Sequence, residues 1–177
     1  MKSTAIFCTI CLALASTTLS AQPADSRFEA LKQLEGFVGQ WEGKYDPPGN
    51  VPKGTVSVDC RWMGNKTYLF YEVSFRPDGS EVVLNPMNVF IGYNGKTQAP
   101  HAWQMKIGAQ AGTPATISKN KVVMKGGEEF DVAGTRQSRT VVYELRTPDE
   151  FVATNTNITR DGRRQPDEEP VVMKRIK

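Results

Sequence analysis

The sequence predicts an all-β fold, an antiparallel up-and-down barrel of about nine or ten strands behind one short N-terminal helix. Three observations carry this expectation. Apolar residues change from helical to alternating spacing near Trp41, turn-forming dipeptides recur at short intervals beyond it, and no later stretch returns to a helical repeat.

The chain opens with Met1-Lys2, runs apolar from Ala5 to Ala15, and leaves that run through Ser16-Thr17-Thr18-Leu19-Ser20-Ala21. A positive start, a short apolar centre and a small-residue exit have the order of a Sec signal peptide. Cleavage is therefore expected after Ala21, with export to the periplasm or the extracellular space. The run is too short to span a membrane, and nothing later approaches a span. Cys8 and Cys11 lack the small-residue lipobox of a lipoprotein, so no lipid anchor is expected.

Cleavage would leave residues 22–177, a length of 156. That suits one domain burying roughly 70% of its unfolded surface. Of the 3 cysteines only Cys60 would remain, so no intramolecular disulfide is expected despite an oxidising destination. The formal charge of +3 includes Lys2. With no basic stripe along the remainder, a nucleic-acid partner has no support.

Asp25-Ser26-Arg27-Phe28-Glu29 opens like a capped helix, and Phe28, Leu31, Leu34 and Phe37 recur at helical spacing. A helix over roughly Asp25 to Gly36 should buttress one end of the barrel. Beyond Trp41, Val56, Val58, Cys60 and Trp62 alternate with polar partners, and Leu69, Tyr71, Val73 and Phe75 alternate with Phe70, Glu72 and Ser74. Pro77-Asp78-Gly79-Ser80, Asn94-Gly95, Lys119-Asn120, Pro148-Asp149 and Asp161-Gly162 mark turns. His101, Trp103, Met105 and Ile107 share one face of a strand, read here as the inward one. Gly108 to Thr113 reads as a loop, Gly126-Gly127 as a break, and Pro170 to Lys177 as the closing strand.

The stretch Phe37-Val38-Gly39-Gln40-Trp41-Glu42-Gly43 resembles the opening of the calycin superfamily, which includes lipocalins, fatty-acid-binding proteins and nitrobindin-like barrels. Ile91-Gly92-Tyr93-Asn94, Asp161-Gly162-Arg163 and Val172-Met173-Lys174-Arg175 resemble more narrowly an uncharacterised family of bacterial, secreted lipocalin-like domains. The resemblance implies a barrel whose floor is Trp41 with Arg175 of the last strand packed on it, and it implies no reaction. It departs from nitrobindin-like barrels in lacking a histidine after His101, where those barrels hold haem near the C-terminal end. It departs from many lipocalins in having no cysteine pair to tie the tail.

Trp62, Tyr71, Trp103, Met105, Met124 and Tyr143 fall on faces predicted to point inward. Rigid aromatics with a few hydroxyls and flexible methionines suit a cavity for a small apolar molecule, although the same residues can fill a barrel solid. His101, the sole histidine, is a candidate haem ligand if its face is inward; a partly exposed strand-end histidine is the plainer reading. Cys60 alternates as a small buried hydrophobe, and its only histidine lies about forty residues on, so no nucleophile and base are paired. Glu128-Glu129 and Asp167-Glu168-Glu169 sit in or near turns, where acidic runs are usually solvated. No catalytic residue, metal site or cofactor is named by these patterns. The leading expectation is an exported binder of a small apolar molecule; the alternatives are a haem or redox-linked barrel using His101, and an enzyme or interaction domain on the same scaffold.

Overall fold

The computed structural model describes residues 26–47, 52–106, 109–130 and 134–176. The expected signal peptide and the Asp25 cap lie outside these residues. Helix α1 (Ser26–Lys32) is shorter than the sequence predicts: the chain turns after Lys32 and resumes as a 3-10 turn over Glu35–Phe37. The Leu34 amide donates to the Leu31 carbonyl at 2.9 Å, and the Phe37 amide to the Leu34 carbonyl at 2.9 Å. A three-residue repeat is the period of a 3-10 path, so Leu31, Leu34 and Phe37 stack on one fully buried face.

Among the described residues eleven strands follow: β1 (Gly39–Tyr45), β2 (Gly54–Met63), β3 (Tyr68–Pro77), β4 (Leu84–Asn94), β5 (Ala99–Lys106), β6 (Ala109–Ser118), β7 (Lys121–Phe130), β8 (Arg136–Thr147), β9 (Glu150–Arg160), β10 (Arg163–Arg164) and β11 (Val171–Arg175). Strands β1 to β9 pair in sequence, and β11 inserts between β9 and β1, every pairing antiparallel. Because β9 bonds to both β8 and β11, ten strands close into a barrel, with two-residue β10 a spur on β9. Closure pairs every long strand on both sides and removes the edges that template aggregation.

Two segments differ from expectation. Residues from Ala109 to Thr113 form the start of β6 rather than a loop, pairing with β5 from Lys106 back to Ala102. The small side chains that read as loop are what the outer aromatic rings of β5 require beside them: Trp103 and His101 lie against Gly112. Gly126-Gly127 does not end β7 either; the strand runs through them with a register shift opposite β8, and Gly126 takes φ of +67°. A bulge absorbs the irregularity without losing the pairing.

One end of the barrel is shut by α1, which packs against β4, β5 and β6. There the indole of Trp41 is completely buried and donates through Nε1 to the Phe37 carbonyl at 2.8 Å. Arg175, opposite Trp41 in the β1–β11 register, lays its guanidinium 4.0 Å over the indole. Its nitrogens donate to the carbonyls of Val38 at 2.7 Å, Gly36 at 3.0 Å and Pro148 at 2.8 Å. Gly39, at φ of +138°, leaves the space the guanidinium occupies; a Cβ there would collide with Arg175 Nη1. Phe151 adds an edge-on contact to Trp41 with centroids 4.9 Å apart.

Trp41→Ala should cost about 3 to 5 kcal/mol, the range for deleting a fully buried large aromatic. Arg175→Lys keeps the charge but loses the planar stack and the fork to three carbonyls, and should cost about 2 kcal/mol. Chemical denaturation of both variants checks these values; a loss below about 1 kcal/mol for Trp41→Ala is a surface-sized effect and would show that this floor does not anchor the barrel.

Candidate functional site

Toward the end of the barrel away from α1, the interior is not filled. A cavity of about 140 Å³, partly open to solvent, is lined by aliphatic side chains of β2, β3, β8 and β11 together with Met87, Tyr71, Tyr143 and Phe151. Its walls follow from alternation: Val56 and Val58 on β2, Val73 on β3 and Val141 on β8 are alternate residues facing one side of a pleated sheet. The polar contribution comes from Gln104 on β5, Arg139 on β8, Asn155 on β9 and Tyr45 at the end of β1.

The cavity's hydroxyls are unusual in their surroundings. Tyr71 is fully buried, its hydroxyl makes no hydrogen bond, and its ring lies 5.4 Å from that of Tyr143. The Cys60 thiol is its neighbour, and the two side chains interact electrostatically. Leaving a buried hydroxyl unpaired costs roughly 1 to 3 kcal/mol, so the group is one that a guest or a water would relieve. Burial pushes the Tyr71 phenol well above its ordinary range and that of Tyr143 up to about 12, nearby Arg139 pulling Tyr143 the other way. Burial likewise drives the Cys60 thiol far up. All three groups therefore remain protonated at neutral pH. A thiol held in that form is no nucleophile.

The six side chains proposed from sequence separate into four places. Tyr71 and Tyr143 line the cavity. Met124 is buried in the neighbouring core, bordering a small void beside Gln104 and Arg139. Trp62 is half-buried at the helix end, where its Nε1 donates to Glu35 Oε2 at 2.7 Å. Trp103 and Met105 face outward, contrary to expectation, and Met105 is 47% exposed. The inward residues of β5 are the completely buried Ala102 and the nearly buried Gln104, opposite Ile91 and Val89 of β4. Because α1 packs against β5 and fills this end with Leu31 and Leu34, the strand presents a small side chain inward and its large ones outward.

His101 shares the outer face with Trp103, 4.9 Å away, and so does not line the cavity. Burial lowers its pKa. The geometry for haem held inside the barrel by His101 is absent. On that outer face Phe70 and Phe90 pack at 4.7 Å, Arg61 sits 4.7 Å over Phe70, and Tyr68 meets Trp103 edge-on at 6.2 Å. Together with Met63, Gly64 and Met105, the Tyr68, Phe90 and Trp103 rings border an open groove of about 410 Å³.

Residues the sequence reasoning missed are mainly Gln104, Arg139 and Asn155. Their polarity reads as the solvent phase of an alternating strand, and only the pairing register turns them inward. Val58, Val73 and Val141 were legible as inward, yet nothing in sequence distinguishes a valine that packs from one that borders a void. Among the described residues, no group of three or more His, Cys, Asp or Glu side chains is placed to hold a metal, and no helix is long and apolar enough to cross a membrane. Comparisons with protein-family models and with curated proteins found no match. What fold and site define is a class: a closed, antiparallel, lipocalin-like β-barrel with a small interior cavity of mixed lining.

The sign of the Tyr143 effect gives a pH test. Its folded pKa is raised above the ordinary 10.0, so the stability it contributes is complete below about pH 10 and is lost as the pH rises through about 12. Denaturant unfolding should therefore weaken across that window, and Tyr143→Phe should flatten the decline.

Proposed function

We propose that the protein binds a small, mostly apolar molecule in the interior of the barrel without covalent chemistry. The observation that carries this reading is the cavity itself: aliphatic and aromatic walls with a few convergent polar groups, which is the usual make-up of a small-molecule site. Its size bounds the ligand. A void of about 150 Å³ is enough for benzene, whereas drug-sized ligands occupy about 300 to 1,000 Å³. At about 140 Å³ the interior suits a guest nearer the first than a haem or a long acyl chain. The protonated Cys60 supports binding over nucleophilic catalysis.

The family reading, a bacterial calycin-type domain, rests on the glycine-flanked Trp41 and its Arg175 partner. Export rests on the character of residues 1–21. Expression of the full chain in a Gram-negative host should yield a periplasmic or secreted product whose first residue is Gln22 by intact-mass measurement; a cytoplasmic product retaining Met1 would remove export from the reading.

Native mass spectrometry of gently extracted protein should show a bound small molecule. None of the 3 tryptophans lines the cavity, so intrinsic emission is a poor reporter of occupancy. Val73→Phe, which adds a ring at a half-buried cavity wall, is the better control. It should abolish the adduct and leave the melting temperature within a few degrees, since it fills space rather than creating it. An adduct that survives in Val73→Phe would place the guest elsewhere.

A further inference from the structure

The hydrogen-bonding groups around the cavity restrict the ligand further. Tyr71 and Tyr143 project from β3 and β8 to the same region, their rings 5.4 Å apart, and both line the cavity. The Tyr71 hydroxyl is sealed from solvent without a partner. Gln104, also nearly buried, lines the same space from β5. Hydroxyls that stay protonated have a proton to donate, and the Gln104 carboxamide has two. All of these groups are neutral. Arg139, the one cation in the lining among the described residues, already has an interaction within the protein.

A carboxylate moved into such a place would lose its hydration and gain only neutral donors, an exchange that disfavours charged guests. A neutral acceptor loses far less water and satisfies a donor that is otherwise unpaired. Apolar walls then hold the remainder of the guest, and the volume limits that remainder to about one ring.

Resting on the interior-binding reading above, we infer that the ligand is a compact, uncharged molecule with a single carbonyl-type acceptor, held by hydrogen bonds donated from Tyr71 and Tyr143. The two tyrosines are then specificity-determining residues, discriminating a ring ketone from a hydrocarbon of equal shape.

The test uses the purified protein, titrated with three probes and followed by amide NMR shifts: cyclohexanone, its isostere methylenecyclohexane, and cyclohexanecarboxylate. Cyclohexanone should bind about tenfold more tightly than methylenecyclohexane, the ratio one neutral hydrogen bond supplies. Tyr71→Phe and Tyr143→Phe should each reduce that preference while leaving the hydrocarbon's affinity unchanged or improved. Two separate variants keep the test decisive should one of them fold poorly. If wild-type protein binds ketone and hydrocarbon equally, and both variants behave alike, the inference falls while interior binding stands. Tightest binding by the carboxylate, lost in Arg139→Gln, would overturn it in favour of an anion site. If no probe binds and the cavity holds water only, interior binding fails, and this inference with it.

Discussion

Arg175 stacked on Trp41 is the contact through which four parts of the chain are held together. The indole comes from the first strand, the guanidinium from the last, and the carbonyls that the guanidinium reaches belong to the 3-10 turn and to the β8–β9 connection. A cation over an indole contributes about 0.5 to 2 kcal/mol by itself. The larger consequence is geometric. Arginine's planar fork can stack and donate in several directions at once, so one side chain ties the plug to the barrel seam and satisfies three backbone carbonyls.

Shutting that end decides what the other end can be. Leu31, Leu34 and Phe37 fill the interior beside β4, β5 and β6, and the fully buried side chains concentrate there. The remaining interior, bounded by residues such as Val58, Val73, Val141 and Phe151, has no helix to fill it and keeps a cavity instead. A ten-stranded ring is wide enough for its side chains to leave such space. The division between a packed floor and a hollow mouth follows from one short helix plugging only the end where it packs on β4, β5 and β6.

The outer face of β3 to β5 shows the complementary consequence. Strand β5, which presents the small Ala102 inward, carries a large ring outside, Trp103 over Gly112, and on the same outer face Tyr68 of β3 lies against Gly92. Glycine opposite an aromatic ring on a twisted sheet lets the ring lie down on the backbone, shielding it from water. Around Ala102 and Trp103 both faces of β5 are therefore apolar. Alternation identifies the strands but loses its power to say which side is inside.

That limit separates what was legible from what was not. Sequence by itself determined the barrel, the short helix before it and the turns, because periodicity and turn chemistry are local signals that need no knowledge of neighbours, whereas the Trp41–Arg175 pairing was implied by the resemblance to calycin barrels. Sequence also placed Tyr71 and Tyr143 inside, since Glu72 after the first and Glu144 after the second mark the opposite face as the solvent-facing one. Only the tertiary structure decided that Trp103, Met105 and His101 face outward, that the run from Ala109 pairs as strand, and that Gln104 and Arg139 border the cavity. A one-residue change of phase carries a whole strand's side chains across the sheet, and that phase is set by registry with neighbouring strands and by the volume the plug leaves free, neither of which a single stretch of sequence contains.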